Sequence, residues 1–264
     1  MTAEPAEAGQ ERHFVRAVER AFRVVRAFGP DTPSMTLSEV AARTDLDRAT
    51  ARRLLLTLVD LGYARRSGRD RFELTPRVLE LGYAYLSGLS LVDVALPHLQ
   101  SMSYELRETA SLTELDGPDV VYLALAQSSR LSGLRITVGT RYAAWATSMG
   151  RVLLAGLPDD ELDAHLASVT VQRRTDQTVR DVAALREAVV RAREQGWALV
   201  EGELEDGLRG VAAPVRNRAG RVIAAVNVST HVGVASREEL TGRHLPRLLQ
   251  AAAGIEADLV ASDL

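Results

Sequence analysis

The 264-residue chain contains no cysteine, and its 32 strong cations are all arginine. The first absence excludes disulfides, thiolate metal sites and cysteine nucleophiles. The lack of lysine reads as the mark of a GC-rich genome rather than of function. No apolar run reaches the roughly 20 residues that cross a bilayer, and no charged-then-apolar leader opens the chain. A soluble, cytoplasmic protein with no membrane partner is the expectation. Also missing are a Gly-x-Ser-x-Gly elbow, a phosphate loop and a dinucleotide fingerprint. His13, His98, His165, His231 and His244 are scattered, with no metal-ligand spacing among them. No catalytic residue, metal site or cofactor is therefore expected, and the chain is not read as an enzyme.

The charge that is present is unevenly spread. Residues 12–77 hold 14 Arg against 8 acidic residues, whereas residues 78–264 hold 18 against 24. A basic head on an acidic body suits a DNA-binding module joined to a domain that does not touch DNA. The length favours two domains.

Within the basic head, Met35–Leu61 reads as two short helices around a tight turn at Arg43-Thr44-Asp45. Leu37, Val40 and Ala41 share a face of the first helix. Leu46, Ala49, Leu54, Leu58 and Leu61 recur at helical spacing in the second. Thr36 or Ser38 is positioned to cap the first helix and Asp47 the second. The opposite face of the second helix shows Arg48, Thr50, Arg52 and Arg53, a surface suited to a DNA major groove. The alternative is a solvated helix in a bundle. Two strand-like runs follow around Ser67-Gly68-Arg69-Asp70, which is turn chemistry. A hairpin carrying Arg65, Arg66, Arg69 and Arg71 behind a helix-turn-helix reads as a wing contacting phosphates or the minor groove. Ser38 is placed with these residues in the DNA-contacting set.

Around this core, residues 1–11 read as a disordered tail and Phe14–Phe28 as an amphipathic scaffold helix with Phe14, Val18, Ala21, Phe22 and Val25 on one side. The DNA-binding domain spans 12–75. Pro76–Leu89 opens on a favourable helix-start proline and forms, over 76–90, a linker helix or dimer seam. Residues 91–264 make the second domain. Its first helix, Leu91–Arg107, carries Val92, Val94, Leu96, Leu99 and Met102, more apolar residues than one face needs. These helices are therefore candidates to meet another chain, as a homodimer, with burial inside the chain as the alternative.

The second domain alternates short strands and helices. Strands are expected at Ala110–Leu115, Val120–Ala126, Leu134–Val138, Trp197–Val200, Leu208–Val215 and Val222–Ser229. Helices are expected at Ala146–Ala155, Asp159–Leu166, Val182–Gln195 and Arg237–Leu259. Antiparallel strands with helices beside them indicate an α+β sensor-type domain. Glu201–Asp206 (EGELED) is its one dense acidic cluster, a cation candidate or a solvated loop. Gly139–Ala155 says more. A loop runs into a helix at Thr147 or Ser148, and free N–H groups at Ser148, Met149 and Gly150 would receive a carboxylate. Arg141 could add charge, and Tyr142 and Trp145 could wall an aromatic ligand. A plain capped helix is the alternative. Asn227 and Ser229 lie two apart on a strand and so point to one side. Arg135, sharing a strand face with Thr137, would meet a second carboxylate or lie on the surface.

The motifs MTLSEVAARTDLDRATARRLLLTL, RFELTPRVLELGYAYL, ATSMGRVLLA, QGWALV and ELEDGLRGVAAPVRNRAGRVIAAVNVS together resemble the IclR family of bacterial transcription regulators over nearly the whole chain. The likeness is greatest to the branch governing aromatic-acid catabolism, the PcaR, PcaU and PobR type. The resemblance implies a winged helix-turn-helix, a linker helix and a GAF-like α+β effector-binding domain. It further implies dimers through the DNA-binding region, often tetramers through the effector domains, a double-stranded DNA operator and a small organic acid effector. Matched by motif, the pocket falls on Ser148 and Met149, on Glu201 or its neighbour Val200, on Leu208 and Gly210, and on Asn227 and Ser229. Asp45 stands where glycine is frequent, and tolerates the left-handed conformation. Gly210, Asn227 and Val200 depart from the residues common there, so glyoxylate, the ligand of better-known members, does not carry over. The expectation is a ligand-responsive regulator of an aromatic-acid operon sensing a small aromatic or dicarboxylic acid such as protocatechuate or β-ketoadipate. The alternatives are a regulator of another pathway with a different carboxylate, an enzyme or metal-binding domain fused to a DNA-binding head, and a purely architectural DNA-binding protein.

Overall fold

The computed structural model describes residues 14–68, 70–86, 90–127 and 136–262. The chain divides into two units, Met1–Gly88 and Leu89–Leu264.

In the first unit, helix α1 (Arg16–Ala27) is followed by strand β1 (Ser34–Thr36), α2 (Leu37–Thr44) and α3 (Arg48–Asp60). Hairpin β2 (Ala64–Ser67) and β3 (Arg71–Leu74) comes next, then a single 3-10 turn at Pro76–Val78 and α4 (Leu79–Leu86). Strand β3 is central, pairing antiparallel with both β1 and β2. Helix α2 starts on a reciprocal cap: the Thr36 hydroxyl accepts the Glu39 N–H, and the Glu39 carboxylate accepts the Thr36 N–H. That bond above all, then the Thr36 hydroxyl, holds the Glu39 carboxyl below its ordinary range. The helix ends at Asp45, whose φ of 50° is left-handed. The Asp47 side chain then accepts the Thr50 N–H at 2.9 Å and starts α3. Two helices are thereby set at a tight turn by three short polar side chains.

The buried stripe of α3 is Ala51, Leu55 and Leu58. This corrects the stripe expected from sequence, since Ala49 and Leu61 are exposed and Leu54 is half-buried. The i, i+4, i+7 series selected by the fold starts three residues into the helix, where Ala51 lets α1 and α2 approach. Val24, Val40, Leu55 and Phe72 meet in this unit's core, each large side chain contributing about 1.5–3 kcal/mol on burial. Helix α1 packs through Val24 and Ala27, with Val25 partly buried beside them; of the face the sequence suggested, Phe14, Val18 and Phe22 are 46–58% exposed.

The second unit is a six-stranded antiparallel sheet in the order β6-β5-β4-β9-β8-β7, with helices on both faces. Helix α5 (Ser90–Leu106) leads into hairpin β4 (Thr109–Asp116) and β5 (Asp119–Ala126), and then short edge strand β6 (Arg141–Ala143). A 3-10 turn at Ala144–Ala146 precedes α6 (Ser148–Ala155), α7 (Asp159–Ser168) and α8 (Val182–Gln195). Strands β7 (Ala198–Glu201), β8 (Leu208–Arg216) and β9 (Val222–His231) follow, then the turn α9 (Arg237–Glu239) and α10 (Leu245–Ala261).

Three expectations change here. The strand expected over 134–138 begins outside the described residues, and its remainder is irregular backbone leading to β6, which the sequence reading missed. Val92, Val94 and Leu96 of α5, read as candidates to meet another chain, pack in part against this unit's own core. The terminal helix is broken by a π-turn at Leu240–His244 ahead of Pro246. Proline brings no N–H to the ladder and would crowd the carbonyl four residues back, and the wider turn relieves both.

Strand alternation sorts the sheet's two faces. Leu112 of β4, Val211 and Ala213 of β8, and Val226 and Val228 of β9 join the core under α5 and α10. Ser111, Gly210, Asn227 and Ser229 fall on the other face, where α6 lies. Register places Ser111 opposite Asn227 and Gly210 opposite Ser229.

Candidate functional site

The first site is a groove in the N-terminal unit between the start of α2, α3 and the β2–β3 hairpin, lined by Ser38, Arg48, Arg52, Arg66 and Arg71 among others. Arg48, Arg52 and Arg53 are exposed and Thr50 is half-buried. Asp47, which starts this helix, has its carboxyl held below the ordinary range by its hydrogen bonds with Thr50 above all. The wing arginines divide. Arg66 is exposed on the groove side. Arg65 projects the other way and pairs with Glu73 at 3.0 Å. Arg71 is braced by Ser34 Oγ at 3.1 Å and Glu39 at 3.4 Å. Arg69 lies outside the described residues.

The second site is a pocket in the other unit, between the N-terminus of α6, the polar face of β8 and β9, and the loop joining β7 to β8. Its helix end is built by a cap. The Thr147 hydroxyl accepts the Gly150 N–H at 3.0 Å, and the Thr147 carbonyl accepts the Arg151 N–H. The Ser148 and Met149 N–H groups take no acceptor among the described residues. They present the positive end of the α6 dipole to the pocket. Gly150, expected to contribute a third N–H, is instead committed to the cap and packed away from the pocket. A Cβ there would stand 1.9 Å from the Ala144 carbonyl oxygen.

On the sheet side, polar groups form a directed chain. The Ser111 hydroxyl donates to Asn227 Oδ1, and Asn227 Nδ2 donates to Ser229 Oγ at 2.8 Å. Ser229 is left with its own O–H to donate into the pocket, and each bond in the chain polarises the next. Gly210 leaves the space between these groups open: a Cβ built on it meets Ser148 Oγ at 3.0 Å and Asn227 Nδ2 and Ser229 Oγ at 3.8 Å. Tyr142, Met149, Val200 and Leu208 also line the pocket.

Tyr122, Ile136, Ala146, Thr147, Glu203 and Leu204 line the pocket as well, though the sequence reading did not place them in the ligand set: Thr147 entered it as a helix start, and Glu203 and Leu204 as part of the acidic run. Tyr122 and Tyr142 meet edge to face with centroids 6.0 Å apart. Burial above all pushes the hydroxyl pKa of both upward, so both stay protonated donors. The strand pattern of β5 gave access to Tyr122, which lies on the same face as Val120. Glu203 belongs to the acidic run Glu201–Asp206, whose two readings, a cation candidate or a solvated loop, did not point to a pocket wall.

Besides Gly150, three expected residues do not line the pocket. Trp145 is buried in the core behind α6. Glu201 turns outward to Arg209, at 2.8 Å, and Arg237. Strand alternation sends its neighbour Val200 inward instead. Arg141 is held by Asp116 at 2.6 Å and Asp119 at 3.2 Å. Arg135 lies outside the described residues.

The free volume of the pocket is about 30 Å³, room for roughly one water. Among the described residues there is no cluster of three or more His, Asp or Glu side chains placed to hold a metal ion, and no helix is long and apolar enough to cross a membrane.

Comparison with known proteins matches both units to one family. Residues 17–68 match the IclR helix-turn-helix domain, and residues 83–257 match the bacterial transcriptional regulator IclR C-terminal domain. The Pca regulon regulatory protein of Pseudomonas putida is 41% identical over 239 residues, covering 90% of this chain and 82% of that protein. A crystal structure of a candidate transcriptional regulator from Rhodococcus sp. RHA1 superposes with a TM-score of 0.84 at 49% identity, over 94% of this chain and all of that one. An IclR homolog from Microbacterium hydrocarbonoxydans, crystallised with 4-hydroxybenzoate, gives a TM-score of 0.81 at 29% identity, over 93% and 99% of the two chains. With a helix-turn-helix, an α+β effector-binding domain and relatives that regulate transcription, the chain belongs to the IclR family of ligand-responsive, DNA-binding transcriptional regulators.

Proposed function

We propose that this regulator controls an aromatic-acid catabolic operon and responds to a small aromatic or dicarboxylic acid. The observation that carries the reading is the convergence of the free Ser148 and Met149 N–H groups and the Ser229 hydroxyl on the space above Gly210. Such a site suits a carboxylate, which helix N-termini receive without a cationic side chain. Tyr122, Tyr142 and Leu208 offer aromatic and apolar wall. The pathway is supported by the Pseudomonas relative, which bears the Pca regulon name, and by the 4-hydroxybenzoate of the Microbacterium homolog.

Operator DNA is read by Arg48, Thr50, Arg52 and Arg53 in the major groove, with Arg66 on the backbone. The protein acts as a homodimer whose two heads meet half-sites about one helical turn, roughly 34 Å, apart. The apolar residues left exposed on α1 and α4, among them Val18, Phe22, Leu79 and Tyr83, supply its seam.

The test uses the full chain and the DNA upstream of the operon it controls, with binding followed by fluorescence anisotropy. Protocatechuate, 4-hydroxybenzoate or β-ketoadipate should change operator affinity severalfold. An affinity indifferent to all three would overturn the pathway assignment.

A further inference from the structure

Ser111 of β4 does not line the pocket, and β9 separates it from Gly210. It is 2% exposed and lies opposite Asn227 in the sheet. Its hydroxyl donates to Asn227 Oδ1, and it makes no other side-chain hydrogen bond among the described residues. Asn227, 1% exposed, does line the pocket. Its Nδ2 carries two hydrogens. One goes to Ser229 Oγ at 2.8 Å, and the nitrogen stands 3.8 Å from where a Cβ of Gly210 would be. The other takes no acceptor among the described residues.

A side-chain amide has two orientations that fill the same space, with oxygen and nitrogen exchanged. Here they are opposite in effect. As the amide stands, Nδ2 faces the Gly210 side, and Ser229, whose oxygen accepts from it, keeps its own O–H to give. Reversed, Oδ1 would take that O–H, and both groups would present lone pairs to the pocket. The site would pass from donor to acceptor with no change of shape. Ser111 decides between the two. Its hydrogen needs Oδ1 beside it. With the amide reversed, Ser111 could only accept, and a buried O–H would be left without an acceptor.

We propose that Ser111 is the positioning residue that makes the pocket prefer an anion: its hydroxyl holds the Asn227 amide nitrogen toward the ligand, and Ser229 is thereby kept a donor. The proposal rests on the reading of the Ser148, Met149 and Ser229 groups as the carboxylate site. A carboxylate offers acceptors alone, and it would meet donors throughout: the backbone N–H groups, the amide N–H and the hydroxyl. A carboxamide of the same shape brings an NH2, and that group would face donors and go unpaired. Acid is thus separated from amide by a residue that touches neither.

The test pairs two substitutions of one shape. Ser111→Thr keeps the hydroxyl and Ser111→Val puts a methyl group in its place, so the cost of added bulk is shared and the hydroxyl is the difference. Binding of 4-hydroxybenzoate and of its neutral amide, 4-hydroxybenzamide, to the full-length protein is measured by calorimetry. Parent and Ser111→Thr should prefer the acid about 10- to 100-fold, the range for a hydrogen bond to a charged group. Ser111→Val should lose most of that preference. A merely structural role would instead weaken acid and amide alike. A second measurement needs no ligand. In protein labelled at asparagine, the Asn227 amide hydrogens should show a nuclear Overhauser effect to Gly210 Hα in the parent and in Ser111→Thr, reduced in Ser111→Val. A full preference surviving in Ser111→Val, or no such effect in the parent, would overturn the role of Ser111 while leaving the carboxylate site standing. A parent that binds the acid no better than the amide would overturn the carboxylate reading, and the proposal with it. Should Ser111→Val not fold, Ser111→Ala removes the hydroxyl without adding bulk, and an acid preference kept there would overturn the proposal equally.

Discussion

Gly210 of β8 and Ser148 of α6 face each other so closely that a Cβ on the glycine would stand 3.0 Å from the serine Oγ. Alanine would need the hydroxyl to give by a few tenths of an ångström. A leucine would fill the space the carboxylate is proposed to occupy. Gly210→Leu should therefore abolish calorimetric binding of 4-hydroxybenzoate and its effect on operator affinity. Operator affinity without ligand should stay within about twofold of the parent, because the residues proposed to contact DNA belong to the other unit. A variant that still responds to the acid would place the ligand elsewhere.

Gly150 tests the cap rather than the pocket. Its hypothetical Cβ overlaps the Ala144 backbone at 1.9 Å, and backbone cannot swing aside as a side chain can. Gly150→Ala should cost roughly 3 kcal/mol or more. Gly196 is a useful contrast, since it ends α8 at φ 78° with open space around it. Gly196→Ala should cost about 1–2 kcal/mol from the left-handed backbone alone. Chemical denaturation of the two variants side by side gives the comparison; equal costs would contradict it.

The wing offers a discrimination between neighbours. Arg66 is on the groove side, while Arg65 is spent on Glu73. Arg66→Ala should lower affinity for every duplex alike and reduce the slope of log K against log salt by roughly one. Arg65→Ala should change that slope little. Arg52→Ala should cost about 1–3 kcal/mol and relax the base preference at one operator position, if Arg52 reads a base. Salt titrations on specific and scrambled duplexes separate these outcomes.

The exposed apolar residues of the DNA-binding unit invite a charge. Phe22 is 46% exposed and Tyr83 71%, so neither is needed for the fold of a single chain. Phe22→Glu with Tyr83→Glu should shift sedimentation toward a smaller species and weaken operator binding, with little change in the unfolding of the monomer. Unaltered sedimentation would move the seam away from α1 and α4.

How far the sequence could be read depended on whether a structural cause was local. Asp47, Asp45 and Gly196 act within one helical turn of their own positions, and the cap, the tight turn and the helix stop they imply all occur. The alternation in Ala225–Ser229 likewise placed Asn227 and Ser229 on one side. The misreadings involve partners far along the chain. Trp145 and Glu201 have the right chemistry for a pocket, but the fold buries the first behind α6 and gives the second to Arg209 and Arg237. Glu203 was not placed in the pocket for the complementary reason: Arg151, which makes a loop carboxylate into a fixed wall, lies 52 positions away. The apolar side of α1, read from sequence both as scaffold and as a seam candidate, stays largely exposed in the single chain, and a local pattern cannot say what it meets.

The free volume of about 30 Å³ is smaller than a six-membered ring, so an aromatic acid can be seated only if side chains of the pocket wall move. The free energy of that rearrangement is subtracted from the contacts the ligand makes. Substitutions that trim the wall without touching the polar groups should therefore tighten binding, by removing a cost rather than by adding a contact.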